Sequence, residues 1–383
     1  MTTTFQFEPA VLPPSVPQLR TEIRAFIARN MPPLKAWERA NSWAHFDADF
    51  SRKLGAAGFI GMAWPKEYGG HARSPIERYV VCEELLAAGA PVGAHWIADR
   101  QHAMTILRYG SEEQKRKWMP GIARGELYCV IGMSEPNSGS DLASVRTRAT
   151  KVDGGWRLNG QKIWTTLAHK SQLMIALVRT SGETDSRHAG LSQFLFELDT
   201  PGIRVKPIVD MLGHEHFNEV FFEDAFLPDS ALLGKEGDGW KQVTSELSFE
   251  RSGPERYLSS HAVFVEFLRL AGPNPSESQR ALIGKIGAQI WTLRQMSQSV
   301  SASLAAGRDP MVEASVVKDL GNLFEQDLPR WIHAAMDAGL ALEEDSEFAL
   351  ALAYLLQASP SFSLRGGTRE ILRGIIARGL GLR

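Results

Sequence analysis

The chain has 383 residues, longer than one hydrophobic core usually grows, so two or three packed units are expected. Hydrophobic residues make up 44% and charged residues 22%, an ordinary balance for a globular protein, and a net charge of −2 gives no electrostatic basis for binding nucleic acid or an anionic membrane. Cys82 and Cys129 stand far apart without CxxC spacing, the start lacks a basic segment followed by an apolar run, and no stretch of about 18 apolar residues occurs; the expectations are a reducing compartment, no metal site, and a soluble, cytoplasmic protein.

Helical signals fill the first third. Ser15 and Gln18 have capping-box spacing with Pro17 in the first turn, and Leu19, Ile23, Phe26 and Ile27 recur on one face. Ser74, Pro75 and Glu77 repeat the device ahead of Ile76, Tyr79, Val80 and Leu85. Between them Phe46, Phe50, Leu54 and Ala57 form a stripe that stops at Gly58. From about residue 126 the texture changes to short β-rich runs. "GGWRLNGQKIWTT" sets Asn159-Gly160 between alternating segments, a hairpin signal, and "LMIALVRT", "LSQFLFEL", "GIRVKPI" and "EVFFEDAFL" follow. Helices return near residue 236. Asn274, Pro275 and Glu277 predict the start of a long one carrying Leu282, Ile286, Ile290, Leu293 and Met296, and Asp309-Pro310 opens another with Val316, Val317, Leu320 and Phe324.

One stretch of the β-rich part is unusual. "IGMSEPNSGSDLAS", residues 131–144, is dense in glycine and serine. Glycine lets a backbone approach a ligand closely and serine adds a compact donor, a combination suited to an anionic group such as phosphate; an exposed turn would read the same way.

The neighbourhood decides between the two. "YGSEEQKRKWMPGIARGELYCVIGMSEPNSGSDLAS" (109–144), "LNGQKIWTT" (158–166) and "GGTREILRGIIARGLGLR" (366–383), supported by "AAGFIGMAWPKEYGG" (56–70), resemble the acyl-CoA dehydrogenase family. The resemblance implies an α+β multidomain chain: an N-terminal α-helical domain (1–125), a middle β-barrel (126–235) and a C-terminal four-helix bundle (236–383). It also implies FAD as cofactor, an acyl-CoA substrate, and β-oxidation-type chemistry with electrons leaving to an electron-transfer flavoprotein. By the same resemblance, Ile131, Gly132, Met133 and Ser134 lie along the pyrimidine edge of the flavin. Gly139 and Ser140 lie at the pyrophosphate and the entering thioester. Trp164, Thr165 and Thr166 close the other side, with the indole on the ring and Thr166 toward N5. Fixed N–H and O–H dipoles at the pyrimidine edge stabilise the charge of a reduced flavin without reorganising. Read from its own strand, Trp164 fits either position, and without the resemblance it reads as a core residue.

The base is read from a vacancy. Many family members carry a glutamate just before the glycine-threonine of the C-terminal motif; here that position is Gly366, whose backbone N–H remains for the thioester carbonyl. In other branches the glutamate stands at the start of the C-terminal domain, and the matching residue is Glu250, followed by Arg251 at the substrate. Pro254 cannot donate to the carbonyl of Glu250, so a kink is expected there. Trp240, Phe249 and Tyr257 are either pocket lining or core. Two departures from the family stand out. The Arg-x-x-Phe-Gly and Gln-x-x-Gly-Gly stretches that reach a neighbour's flavin are missing, and only "GGTRE", with Thr368 and Glu370, remains; Arg369 and the main-chain N–H groups near Gly367 are the local substitutes. The assembly implied is a homo-oligomer (dimer or tetramer) or a heteromer with a related chain. The rival functions are a non-catalytic scaffolding subunit, an acyl-CoA oxidase and a flavin monooxygenase.

Overall fold

The computed structural model describes residues 6–182, 187–336 and 346–382, with the side chains of residues 246–250 outside the description. Helices occupy both ends of the chain and strands its middle. The eight strands are β1 (Cys129–Gly132), β2 (Arg148–Val152), β3 (Gly155–Thr166), β4 (Leu173–Arg179), β5 (Leu191–Glu197), β6 (Ile203–Ile208), β7 (Phe217–Pro228) and β8 (Leu232–Leu233). They form one sheet in the order β6-β7-β3-β2-β4-β5-β8, with β1 parallel on β4. β4 is buried at every position, and the sheet contributes to a core that includes Val130, Trp156, Leu158, Met174, Phe194, Val220 and Phe222.

The described chain divides into two compact units: residues 46–72 with 93–247, and residues 1–45, 73–92 and 248–383. In the first, Ala98, Ala103 and Ile106 join Met119 and Ile122 of the helix Glu112–Ala123 in packing against Cys129, Leu173, Ile175, Leu195 and Leu233 of the sheet. In the second, helix Val16–Asn30 packs on Pro75–Ala88, and Glu277–Ala305 packs on Met311–Ala334.

The local signals fared unequally. Ser74 accepts from the N–H of Glu77 and Glu77 reaches back to Ser74, so that capping box is formed. The first one is not: Ser15 sits in helical backbone without a capping bond, and its hydroxyl donates to Glu77 Oε1 at 3.0 Å. The long helix starts at Glu277, two residues later than its Asn274-Pro275 signal, with Ser276 and Gln279 as the capping box. The hairpin expected at Asn159-Gly160 is also corrected. β3 runs straight through it, and the turn lies at Asp153-Gly154, between paired Val152 and Gly155. Gly160 marks a bulge instead, where Thr147 comes within 2.6 Å of any added Cβ, and Asn159 exchanges hydrogen bonds with Asp224 of β7. Nor does a kinked helix continue to Pro254. The helix Gly239–Glu250 ends, and Gly253, pushed to extended backbone ahead of the proline, leads into a short 3₁₀ turn at Pro254–Arg256.

Candidate functional site

The sequence-predicted residues fall into two sets, one in each compact unit. The first surrounds the end of β1, the loop that follows, and the second half of β3.

Along β3, Trp156, Leu158 and Lys162 point inward. Strict alternation would send Trp164 inward too. A register shift between Lys162 and Thr165 in the β3–β7 ladder reverses it. Trp164 takes a left-handed backbone (φ 59°), its side chain is 57% exposed, and its ring meets Phe217 edge-on at 5.9 Å. Thr165 turns inward instead, 1% exposed, with a buried hydroxyl that has no hydrogen-bond partner; Thr166 is half-buried. An indole held outward from a backbone conformation that costs an L-residue roughly 1–2 kcal/mol is a feature that packing within the chain does not explain.

The loop is tied to that strand at successive points. Lys162, fully buried, donates from Nζ to Glu135 Oε1 at 2.8 Å and to the carbonyl of Met133 at 3.0 Å, and the N–H of Ile163 donates to the carbonyl of Ser134 at 2.9 Å. Glu135 also accepts the N–H groups of Arg146 (2.6 Å) and Thr147 (2.9 Å). Burial pushes the Glu135 carboxyl up, but Lys162 and these donors outweigh it and hold it below the usual range; burial pulls the Lys162 ammonium down to about 8 against the pull of Glu135.

Ile131 pairs with Ile175 on β4, and Met133 packs toward Val145, Leu177 and Leu191. Gly132 is a packing requirement, since a side chain there would collide with Met174. Gly139 and Ser140 are exposed, and a Cβ added at Gly139 would meet nothing within 4 Å. An outward indole beside a small-residue loop with open space above Gly139 fits a flat aromatic cofactor carrying an anionic tail.

The second set surrounds a glycine turn. Gly366 (φ 61°) and Gly367 (φ 98°) both lie in the left-handed region. Arg251, 3% exposed, donates from Nε to the carbonyl of Gly366 at 3.3 Å, and fully buried Lys318 donates to the carbonyl of Gly367 at 2.7 Å. Thr368 is the cap residue of the helix Arg369–Gly379, and the exposed Glu370 carboxyl is held down by its own backbone N–H and the Thr368 hydroxyl. Arg369 is not available as an open cation: its Nε lies 2.6 Å from Asp319 Oδ1. The Glu250 side chain lies outside the described residues, as does that of Phe249. Tyr257 is core, 1% exposed, its hydroxyl 2.7 Å from that of Tyr79 and donating to Glu83. Trp240 stacks on His188 at 4.0 Å.

Sequence reading missed the Lys162–Glu135 pair, although a lysine at an inward position of an alternating strand was the available signal. It also missed Asp210, His214 and His216, half-buried residues whose ligating atoms lie within 4.8 Å of one another; the Asp-x-x-x-His-x-His spacing was in plain view. Both cysteines are buried, and among the described residues no helix is long and apolar enough to cross a membrane.

Comparison with known proteins gives two family matches: acyl-CoA dehydrogenase, N-terminal domain, over residues 14–126, and acyl-CoA dehydrogenase, middle domain, over residues 130–225. The acyl-CoA dehydrogenase IpdE1 of Mycolicibacterium smegmatis is 34% identical over 96% of this chain and 98% of its own length. FadE34 of Mycobacterium tuberculosis is 33% identical over 85% of this chain, which spans only 45% of that longer protein. Among solved structures, the Tcur3481-Tcur3483 steroid ACAD superposes with a TM-score of 0.85 at 26% identity, covering 97% of this chain and 98% of that one. The ChsE4-ChsE5 complex from Mycobacterium tuberculosis gives 0.83 at 28% identity, covering 97% and 99%.

Proposed function

We infer the reaction from one premise: the chain belongs to the acyl-CoA dehydrogenase family, whose members are FAD-binding oxidoreductases. On that premise we propose that it removes hydrogen from Cα and Cβ of an acyl-CoA thioester, yields the trans-2-enoyl thioester, and delivers the electrons to an electron-transfer flavoprotein. Bound FAD supplies the acceptor for the electron pair that leaves Cβ with its hydrogen.

The chain's own residues do the rest. Glu250 takes the α-proton onto its carboxylate. The Gly366 N–H donates to the thioester carbonyl as negative charge builds there. Its left-handed φ supports that role, because a side chain at this position is strained and the backbone is what the position offers. Arg251 and Lys318 hold the carbonyls of the two turn glycines, Gly366 and Gly367. Met133, Ser134, Gly139, Ser140, Trp164 and Thr166 hold the cofactor.

The observation that carries the reading is Trp164, exposed and left-handed beside the anchored loop. Two measurements test it: a visible absorbance scan of the purified protein, and turnover with a dye acceptor on a panel of acyl-CoA thioesters. Steroid-derived thioesters belong on that panel because a structural neighbour is described as a steroid ACAD. Glu250→Gln should keep FAD and lose about 10²- to 10⁴-fold in turnover. Near-normal turnover in that variant sinks the base assignment.

A second reading, full FAD occupancy only with a related partner chain, is favoured by Arg369. Its charge is balanced by Asp319, whereas a pyrophosphate is commonly held by charge-assisted donors. The heteromeric neighbour supports it. One FAD per chain in a homo-oligomer purified without added flavin refutes it.

A further inference from the structure

We propose that Lys162 is a positioning residue for the cofactor: it links the two halves of the flavin clamp, fixing the backbone of the 133–135 loop against the strand that presents Trp164. This deepens the reading above and rests on it.

Three features make Lys162 more than a satisfied core charge. It is fully buried at an inward position of β3, where its neighbours of the same parity are Trp156 and Leu158. A strand that needed only packing would carry another apolar residue there, since a buried ion pair is seldom worth more than the hydrophobic group that replaces it. Its ammonium is shared between a carboxylate and a main-chain carbonyl, Glu135 Oε1 at 2.8 Å and Met133 O at 3.0 Å. Glu135 in turn gathers the N–H groups of Arg146 and Thr147, so one lysine fixes both the first turn of the loop and the segment that returns from it.

The third feature is position. Lys162 is the last inward residue before the register shift that turns Trp164 outward, and Ile163, between them, donates to Ser134. The loop backbone and the indole are therefore referenced to the same two residues of β3. A flavin clamp needs that coupling: donors at one edge and a ring stacked on the face must keep a fixed spacing, and groups held in place beforehand lose nothing to ordering on binding. Lys162 touches the loop carbonyl and not the reacting atoms, so it acts through Met133 and Ser134.

The test uses the full-length chain with FAD titrated into the apoprotein, binding being read by quenching of flavin fluorescence and by the visible spectrum. Glu135→Gln accompanies each change at 162, so that no buried charge is stranded. Lys162→Met/Glu135→Gln removes the donor to Met133 and is expected to fold, with an apoprotein melting temperature near that of the wild type, and to raise the FAD dissociation constant at least about tenfold. Lys162→Gln/Glu135→Gln keeps a neutral donor and is expected to recover most of that loss. Wild-type affinity and spectrum in the Met/Gln double overturn the proposal, as does equal loss in both doubles. Failure of the Met/Gln double to fold makes Lys162 a strut of the whole sheet and overturns it as well. Unchanged FAD affinity in Trp164→Ala alone, with Lys162 and Glu135 intact, would instead count against the clamp itself.

Discussion

In the strand region a buried lysine, Lys162, donates to the carbonyl of Met133; in the glycine turn a buried lysine, Lys318, donates to the carbonyl of Gly367. Each region also has a buried carboxylate: Glu135 beside Lys162, and Glu325 beside Arg365 at 3.3 Å. The two carboxylates are displaced in opposite directions. Glu325 is raised, burial outweighing Arg365 and the N–H of Ser259, while Glu135 is lowered because Lys162 and two backbone donors outweigh burial. The two ion pairs therefore bear oppositely on stability, and depth of burial decides which way: Glu325 is fully buried, whereas Glu135 keeps 9% of its surface exposed.

That contrast can be broken by substitution. Glu135→Gln strands a buried ammonium and is expected to cost about 3 kcal/mol at pH 7, toward the lower end for a broken buried pair because Lys162, already near 8, can shed its proton. Glu325→Gln should cost less, and the pH trends should oppose each other. With a lowered folded pKa, Glu135 contributes stability that is present above the ordinary carboxylate range and lost as pH falls through the folded value, so the deficit of Glu135→Gln shrinks in acid. With a raised one, Glu325 contributes most below that range and loses it as pH rises, so Glu325→Gln gains on the wild type with rising pH. Urea unfolding from well below the ordinary carboxylate range up to about pH 8 checks both; parallel trends would show that the two carboxylates do not differ.

The regions differ again in which residue takes the left-handed backbone. Gly366 and Gly367 do so with little strain, whereas Trp164 does so at a cost. Gly366→Ala should therefore destabilise the protein by about 1–2 kcal/mol. Trp164→Gly should change stability by less than about 1 kcal/mol, because relief of strain offsets the added freedom of the unfolded chain, while flavin retention falls. Thermal melts with flavin-to-protein ratios separate these outcomes, and equal melting shifts would mean that the indole is ordinary packing.

How much of this was legible follows from what each signal measures. The helical ends and most strands were readable because caps and alternation are local, as at Ser74 and Glu77 or along β4. Asn159-Gly160 misled because a bulge and a hairpin make the same demand on a glycine, and only the register with β7 tells them apart. Trp164 stood open between core and cofactor because its direction depends on that same ladder. The motif drew attention to the loop, but not to what holds it: Glu135 and Lys162 are 27 residues apart, and nothing local pairs them.

The smallest effect on the fold is expected at Gly139, where the contrast with Gly366 is sharpest. Gly366 is glycine because its φ is positive. Gly139 lies outside the left-handed range, and a Cβ there would meet nothing within 4 Å, so neither backbone nor packing requires glycine. What remains is the approach of something that is not part of this chain, as a pyrophosphate or thioester would be if it lay against the loop. Gly139→Ala should leave the melting temperature of the apoprotein unchanged, or raise it slightly through the stiffer unfolded chain, within about 0.5 kcal/mol. It should weaken FAD or acyl-CoA binding all the same, because one methyl group enters the space that the ligand backs onto. Titration of both ligands against the variant decides the matter. Undiminished affinity for each, with an unchanged melt, would place the cofactor's anionic end away from Gly139 and leave the density of small residues in this loop to be explained as a turn.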